Sequence, residues 1–454
     1  MDIKPQTDVP SSSTVDRGTL LTYGLFLLGN GNAIRRLAAT PHLWLVGLLL
    51  TISAGLAREY DAEYLWAEPW HVLIAPVASF CAATALWIFV QLSGIGHWQW
   101  LSPSAIDKIR DYDTHEKQEK QPTPSSIINF VAFLGLFWMT APFAWFYGIP
   151  YEHFYSAGDA AKANLWTLAV VALWRVVLMI RILRVLYGIR TLIAAIIVLL
   201  FGDGLMLAAL IALPVPIIIV MGGVRLDGAD QILSSVGFRG LIIGIYASFL
   251  LVPMWLSIFA WRGPLWGFHV QRSPVQLKPL VVVSIIAIIW WCAWLPITQP
   301  AQRLRYDTEK ALKNHDFVTA FSLMETHTIT QFPPHWDPPP RTNGQIQKPH
   351  PLDILIYLHE HPTTSNVQAL YERKLLNNLS SFSILSPIHT SKLITLLERM
   401  PDARTLIDAP DSDFDHDLRS ILTRIKEDNK DESIRNRITA LLRRYPEKKA
   451  NSSK

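Results

Sequence analysis

The chain has 454 residues, 50% of them apolar and 17% charged, with a formal net charge of +4. So small a positive excess argues against a nucleic-acid partner, which requires a concentrated basic face. The two cysteines, Cys81 and Cys292, both fall inside apolar runs, so neither a disulfide framework nor a Cys/His metal cluster is available.

The averages conceal two unlike parts. Residues 41–300 are long apolar runs separated by short polar loops, whereas residues 301–445 have ordinary soluble composition with both charge signs. Sixteen of the 17 tryptophans precede residue 300, and Trp336 alone follows it. Tryptophan collects at membrane–water interfaces because its ring is apolar and its N–H is polar, so this skew supports the division independently of hydropathy.

Residues 1–18 are polar and carry Asp2, Asp8 and Asp16, unlike a cleaved signal. The apolar piece at 19–28 is too short to cross a bilayer, which takes about 20 residues. It predicts an interfacial helix, resumed after Gly29-Asn30-Gly31-Asn32 by Ala33 to Ala39, so that 1–40 form a polar and interfacial segment. Arg35 and Arg36 then face lipid headgroups or lie in a solvated charged turn.

Seven spans are predicted at about 41–57, 70–94, 126–149, 164–187, 191–213, 236–260 and 279–297, each bounded by charges, prolines or glycines. The fifth is ambiguous. Thr191 to Val224 is apolar apart from Asp203 and would be about 51 Å long as a helix, too long for one upright span. Either it ends at Pro214 and Pro216, or it breaks at Gly202-Asp203-Gly204. Lys and Arg alternate between successive loops: Lys4, Arg17, Arg35 and Arg36 lie before span 1, Arg58 alone after it, and Lys108, Arg110, Lys117 and Lys120 after span 2. The positive-inside rule puts the N-terminus in the cytoplasm, and seven spans put the C-terminal domain outside it.

Beyond residue 300, helical patterns run at about 300–314, 316–327, 351–361, 364–379, 388–400, 412–428 and 431–445. Ile421 and Ile425, then Ile434, Ile438, Leu441 and Leu442, mark paired amphipathic helices. "FPPHWDPPPR" at 332–341 forces an extended path and serves as a stiff tether or a docking peptide. The expected fold is all-α: a polytopic membrane bundle of about seven spans, a soluble helical, repeat-like domain at 301–445, and a disordered tail at 446–454.

Polar groups near or within the spans are the candidate site residues. The first outer loop, 57–71, brings Arg58, Glu59, Asp61, Glu63 and Glu68 together with His71. Glu68 and His71 share a helix face, as in di-metal bundles, but no second copy follows, and acidic first-turn residues suit a helix start without metal. Capping and interface anchoring is the preferred role. Arg175, Arg181, Arg184 and Arg190 fall at multiples of three, but Leu178 and Tyr187 break the repeat and no acidic partners face it, so a voltage sensor is disfavoured. Arg175 and Asp203 come to similar depths, within about 5 Å in a core about 30 Å thick, which predicts a mid-membrane ion pair with Gly202 and Gly204 letting the helices approach. His359, Glu360 and His361 lack a spaced third ligand and suit a solvated helix end.

The strings "NAIRRLAATPHLW", "AGLAREYD", "EPWH", "LWRVVLMIRILRVLYG" and "FPPHWDPPPR", spread over residues 32–341, resemble a family of uncharacterised bacterial multi-pass membrane proteins. The apolar part is also weakly similar to Yip-type membrane domains, from which it differs in span number and in its C-terminal domain. These resemblances imply a fold and an inner-membrane location, not an activity. There is no phosphate loop, nucleophile elbow or HExxH, so no cofactor is expected and catalysis has no positive support. The expectation is a non-enzymatic scaffold in the lipid bilayer whose C-terminal domain engages a protein partner. The alternatives are a small-solute or ion transporter using spans 4 and 5, and a membrane-embedded enzyme using the acidic loop.

Overall fold

A computed structural model describes residues 12–95, 126–212, 228–261, 274–334, 336–340, 349–361, 363–381, 387–399, 418–429 and 431–444. The Lys108–Lys120 loop, Pro214, Pro216 and the tail from residue 446 lie outside them. Among the described residues there are helices and no strands. The chain divides into two compact units, one of residues 1–155, 159–210 and 239–300, the other of 156–158, 211–238 and 301–454.

The first unit opens with α1 (Ser12–Leu27), α2 (Gly31–Ala38) and α3 (Leu43–Glu59). Gly29, at φ 77°, takes the left-handed turn that ends α1. Asn30 caps α2 by accepting from the Asn32 and Ala33 N–H groups at 3.0 and 3.1 Å. α2 and α3 meet at a 108° bend, so the expected first span is the second arm of a bent pair. α4 (Trp70–Ile95) and α5 (Ser126–Trp138) follow. The third expected span is not one continuous α-helix. It stops at Trp138 and resumes as a 3₁₀ helix, Ala141–Gly148, with Pro142 in its first turn. Proline lacks the N–H that would extend the helix behind it.

Then come α6 (Ala157–Tyr187), α7 (Thr191–Ala212), α8 (Gly228–Trp261) and α9 (Lys278–Lys313). α7 runs through Gly202-Asp203-Gly204 without a break, so the broken-helix alternative falls. α9 carries Pro296 and Pro300 inside it and continues where the sequence suggests a separate helix from about residue 300. Among the described residues five helices are long and apolar enough to cross a bilayer, or six if the bent pair counts as one span. α6, with Asp159, Lys162, Arg175, Arg181 and Arg184, is not among them. An all-helical protein with several such helices is compatible with integration in a membrane.

Close packing in this unit uses glycine. A Cβ on Gly47 of α3 would lie 2.7 Å from Trp138 Cβ, and one on Gly55 only 2.6 Å from the Val72 carbonyl oxygen of α4. Small residues let helices approach where apolar solvent gives no hydrophobic drive. The unit's core gathers Phe26, Ile34, Leu50, Leu86, Phe133, Leu136, Met139, Ile182 and Ile197, all buried.

In the second unit the end of α9 is joined by α10 (Phe317–Thr326), α11 (Pro351–Glu360), α12 (Ser365–Ser381), α13 (Pro387–Arg399), α14 (Leu418–Asp428) and α15 (Glu432–Arg444). Its own apolar core holds Leu312, Phe321, Leu355, Tyr371, Leu393, Leu397, Leu422, Ile438 and Leu441. Asp316 starts α10 by accepting from the Thr319 N–H at 3.2 Å, and hydrogen bonding from the Thr319 side chain, then from its backbone, holds the carboxyl below the ordinary range. The proline segment is neither free nor a simple spacer. Phe332 stacks on Trp336 at 4.5 Å, and Trp336 Nε1 donates to Glu309 Oε1 at 2.8 Å. Tyr371 Oη donates to the Pro339 carbonyl at 3.0 Å, and the buried Lys374 ammonium pairs with Asp337. The segment is therefore a strap fastened to α9 and α12.

Candidate functional site

The acidic loop is held from below by one amide. Gln299, on α9 and 3% exposed, donates through Nε2 to the Tyr60 and Glu63 carbonyls at 3.1 and 3.0 Å. Its Oε1 accepts from the Leu65 N–H at 2.8 Å. Thr298 Oγ1 adds a bond to the Tyr60 carbonyl at 2.6 Å, and Tyr60 Oη donates to the Gly148 carbonyl at 2.9 Å. The Tyr60 ring lies 5.4 Å from that of Trp291. Irregular backbone next to apolar helices needs its polar groups satisfied, and Gln299 does this for residues 60–65. Sequence reasoning misses Gln299. Its signal is faint: a lone amide between Pro296 and Pro300 at the end of an apolar run.

On this scaffold the predicted residues separate into small groups. Arg58 Nε lies 3.4 Å from Glu59 Oε1, with Arg58 mostly exposed. Asp61 meets His153 Nε2 at 3.1 Å. Burial pushes the Asp61 carboxyl up, and His153 opposes that shift. Glu68 and His71 form the expected pair at 3.6 Å. Glu63 joins them, and the three donor atoms lie within 4.8 Å of one another, all partly exposed. Two carboxylates and an imidazole are a donor set that a divalent cation accepts. They are equally an ion-paired helix start, since a 3.6 Å separation of Glu68 and His71 requires no metal.

The mid-helix charges do not pair as the depth arithmetic predicts. Among the described residues, no ion pair joins Arg175 and Asp203. Arg175 lies over the Phe137 ring, 5.5 Å from its centroid. Asp203 Oδ2 accepts from Ser248 Oγ of α8 at 2.6 Å. The close approach is also elsewhere than expected. A Cβ on Gly202 or Gly204 would meet nothing within 4 Å, whereas one on Gly244 of α8 would lie 2.9 Å from Asp203 Oδ1. Gly244 and Ser248 are four apart and so lie on one helix face, which makes the receiving surface for Asp203 part of α8. Equal depth leaves rotation about the helix axis undetermined, and Asp203 is turned toward α8.

Arg181 is likewise fixed: Nε donates to the Gly29 carbonyl at 2.9 Å, and nearby Trp174 Nε1 donates to the Leu27 carbonyl at 3.0 Å. In the second unit His361 stacks on Tyr357 at 4.4 Å, and Glu360 meets Arg399 at 3.2 Å, so neither points to a metal. A recess of about 520 Å³ opens between α11 and α13, with Ile356 and Leu396 on its apolar side and His359, Lys392 and Arg399 among its polar lining.

No protein-family model matches this chain, nor does any curated protein or solved structure.

Proposed function

We propose that this protein is a non-enzymatic scaffold of the cell membrane whose C-terminal helical domain engages a protein partner. Its N-terminus is cytoplasmic, following the Lys/Arg alternation, and its C-terminal domain lies outside when α6 is counted as a seventh span beside the six that length and apolarity allow among the described residues. One observation carries this reading: three prominent polar side chains of the first unit are engaged in holding the fold. Gln299 ties the acidic loop, Ser248 ties Asp203, and Gly29 ties Arg181. Among the described residues no nucleophile, base and oxyanion donors converge. The α11–α13 recess, with an apolar side and a charged rim, has the character of a peptide-binding surface.

The test is crosslinking and capture of the full chain from membranes in mild detergent, compared with Arg399→Glu, which reverses an exposed charge on the recess rim. A discrete protein captured by the wild type and lost in the variant is expected. Equal capture by both would remove the recess from the account. A reporter active only outside the cytoplasm, fused after Tyr445, checks the orientation.

A second reading, a small-solute or ion transporter, is favoured by the Asp203–Ser248 pair within two long apolar helices, since ionisable groups there mark conduction or proton paths. Flux into proteoliposomes that disappears in Asp203→Asn would favour it over the scaffold.

A further inference from the structure

Three arginines converge where α2 begins. Arg35 of α2 and Arg181 and Arg184 of α6, with Asn30 and Asn32, line a polar recess of about 320 Å³ whose lining, among the described residues, holds no acidic side chain. Among the described residues none of the three makes an ion pair. Arg181 is positioned rather than adventitious. Its Nε is held by the Gly29 carbonyl at 2.9 Å, leaving its two terminal nitrogens unused by that bond. Gly29 makes room for it: a Cβ there would lie 3.3 Å from Arg181 Cγ. The N–H groups that open α2 are already engaged, since Asn30 Oδ1 accepts from those of Asn32 and Ala33.

Arginines gathered without carboxylates repel one another, and the arrangement is favourable with an anion between them. Guanidinium is planar and presents paired donors that match the oxygens of phosphate. We propose that this recess binds a phosphate group, supplied by an anionic phospholipid headgroup or by a soluble phosphate ester. The neighbouring surface suits the lipid: Leu21 and Leu28 are 65% and 72% exposed, so acyl chains meet leucines while the phosphate meets arginines. Basic pockets between helices on the cytoplasmic side are headgroup sites in general. The inference rests on the membrane location proposed above and not on a protein partner.

The experiment is native mass spectrometry of the detergent-purified full chain. It is titrated with phosphatidylglycerol, with phosphatidylcholine as the zwitterionic control, and separately with inorganic phosphate. Arg35→Gln/Arg184→Gln removes two donors and leaves the Arg181–Gly29 bond in place. Arg184 is exposed, so Arg184→Gln alone serves if the pair impairs folding. Arg190→Gln removes the same charge from a residue outside the recess. One saturable phosphatidylglycerol adduct is expected, weakened about thirtyfold in the double variant and within about twofold of wild type in Arg190→Gln. Inorganic phosphate binding with the same arginine dependence, and no lipid adduct, would support the site and assign it a soluble ligand. Equal losses in the double variant and Arg190→Gln, or no loss in either, would overturn the proposal. Failure to need detergent for extraction would instead overturn the membrane location, and it is read before any titration.

Discussion

The two units solve opposite packing problems with the same secondary structure. In the C-terminal unit, leucine and isoleucine side chains interdigitate inside, and charges pair outside, as Arg437 does with Glu398 at 2.6 Å. In the apolar-helix unit, large side chains face outward: Tyr246 and Phe249 of α8 are 72% and 76% exposed, and Trp166 of α6 is 73% exposed. Beside the apolar core around Phe26, Leu50 and Phe133, close contacts there come from glycine and from buried hydroxyls and amides. Trp145 Nε1 donates to Ser53 Oγ at 2.9 Å, and Trp255 Nε1 to Ser93 Oγ at 2.8 Å. Water drives apolar side chains together in the first case. Where the surroundings are themselves apolar that drive is missing, so close backbone approach and satisfied polar atoms take over.

The contrast breaks hardest at the close-approach glycines. Gly55→Ala places a methyl 2.6 Å from a backbone oxygen that cannot swing aside, so α3 and α4 must separate. A loss of about 3 kcal/mol or more is expected, since overpacking typically costs about 1–3 kcal/mol and here the obstacle is main chain. Fluorescence-detected size exclusion after graded heating reads it. Gly202→Ala, with nothing within 4 Å, should match or exceed wild type. If the two variants melt alike, glycine packing is not what holds this unit.

How much of this is legible in sequence differs between the units for a physical reason. In the C-terminal unit, the 3.6-residue spacing of Ile434, Ile438 and Leu441 predicts a buried stripe, and Ile438 and Leu441 are indeed buried. Solvent polarity there makes the pattern informative about direction. In the apolar runs every face is apolar, so periodicity gives length and depth but not rotation. Asp203 lies on a helix foreseen within a residue or two, yet its partner Ser248, 45 residues on, is not foreseen. The same ignorance of rotation assigned the close approach to Gly202 and Gly204 instead of Gly244. Glu68 and His71 were legible as a pair because they are three apart on one turn. Gln299 reaches a loop 234 residues earlier, and no local spacing carries that information.

The next effect is smaller and sharpens the same point. Asp203→Ala and Ser248→Ala should be coupled, the double variant losing about 0.5–1.5 kcal/mol less than the sum of the singles, in line with hydrogen bonds measured between membrane helices. Arg175→Ala and Asp203→Ala share no partner among the described residues, so their effects should add within about 0.5 kcal/mol. A double-mutant cycle on detergent stability reports both quantities. Coupling between Arg175 and Asp203, with none between Asp203 and Ser248, would reinstate the depth-matched ion pair.

The smallest effect belongs to the exposed charges of the C-terminal unit. Arg437 donates to Glu398 from Nε at 2.8 Å and from Nη2 at 2.6 Å, and the second nitrogen also donates to Thr395 Oγ1 at 3.1 Å. Hydrogen bonding from Arg437 holds the Glu398 carboxyl below its ordinary range. A carboxyl with a depressed folded pKa stabilises above its unfolded pKa, about 4.3 for Glu, and loses that contribution as pH falls through the folded value. Both side chains are more than a third exposed or close to it, so solvent screening limits the pair to a few tenths of a kcal/mol, at most about 1. Glu398→Gln should therefore raise hydrogen exchange slightly in α13 and α15 at pH 7. The difference from wild type should shrink below about pH 4 and should also shrink in about 1 M salt. A difference that grows on acidification would mean that Glu398 is destabilised by its surroundings, and that the surface of this unit follows the polar economy of the apolar one.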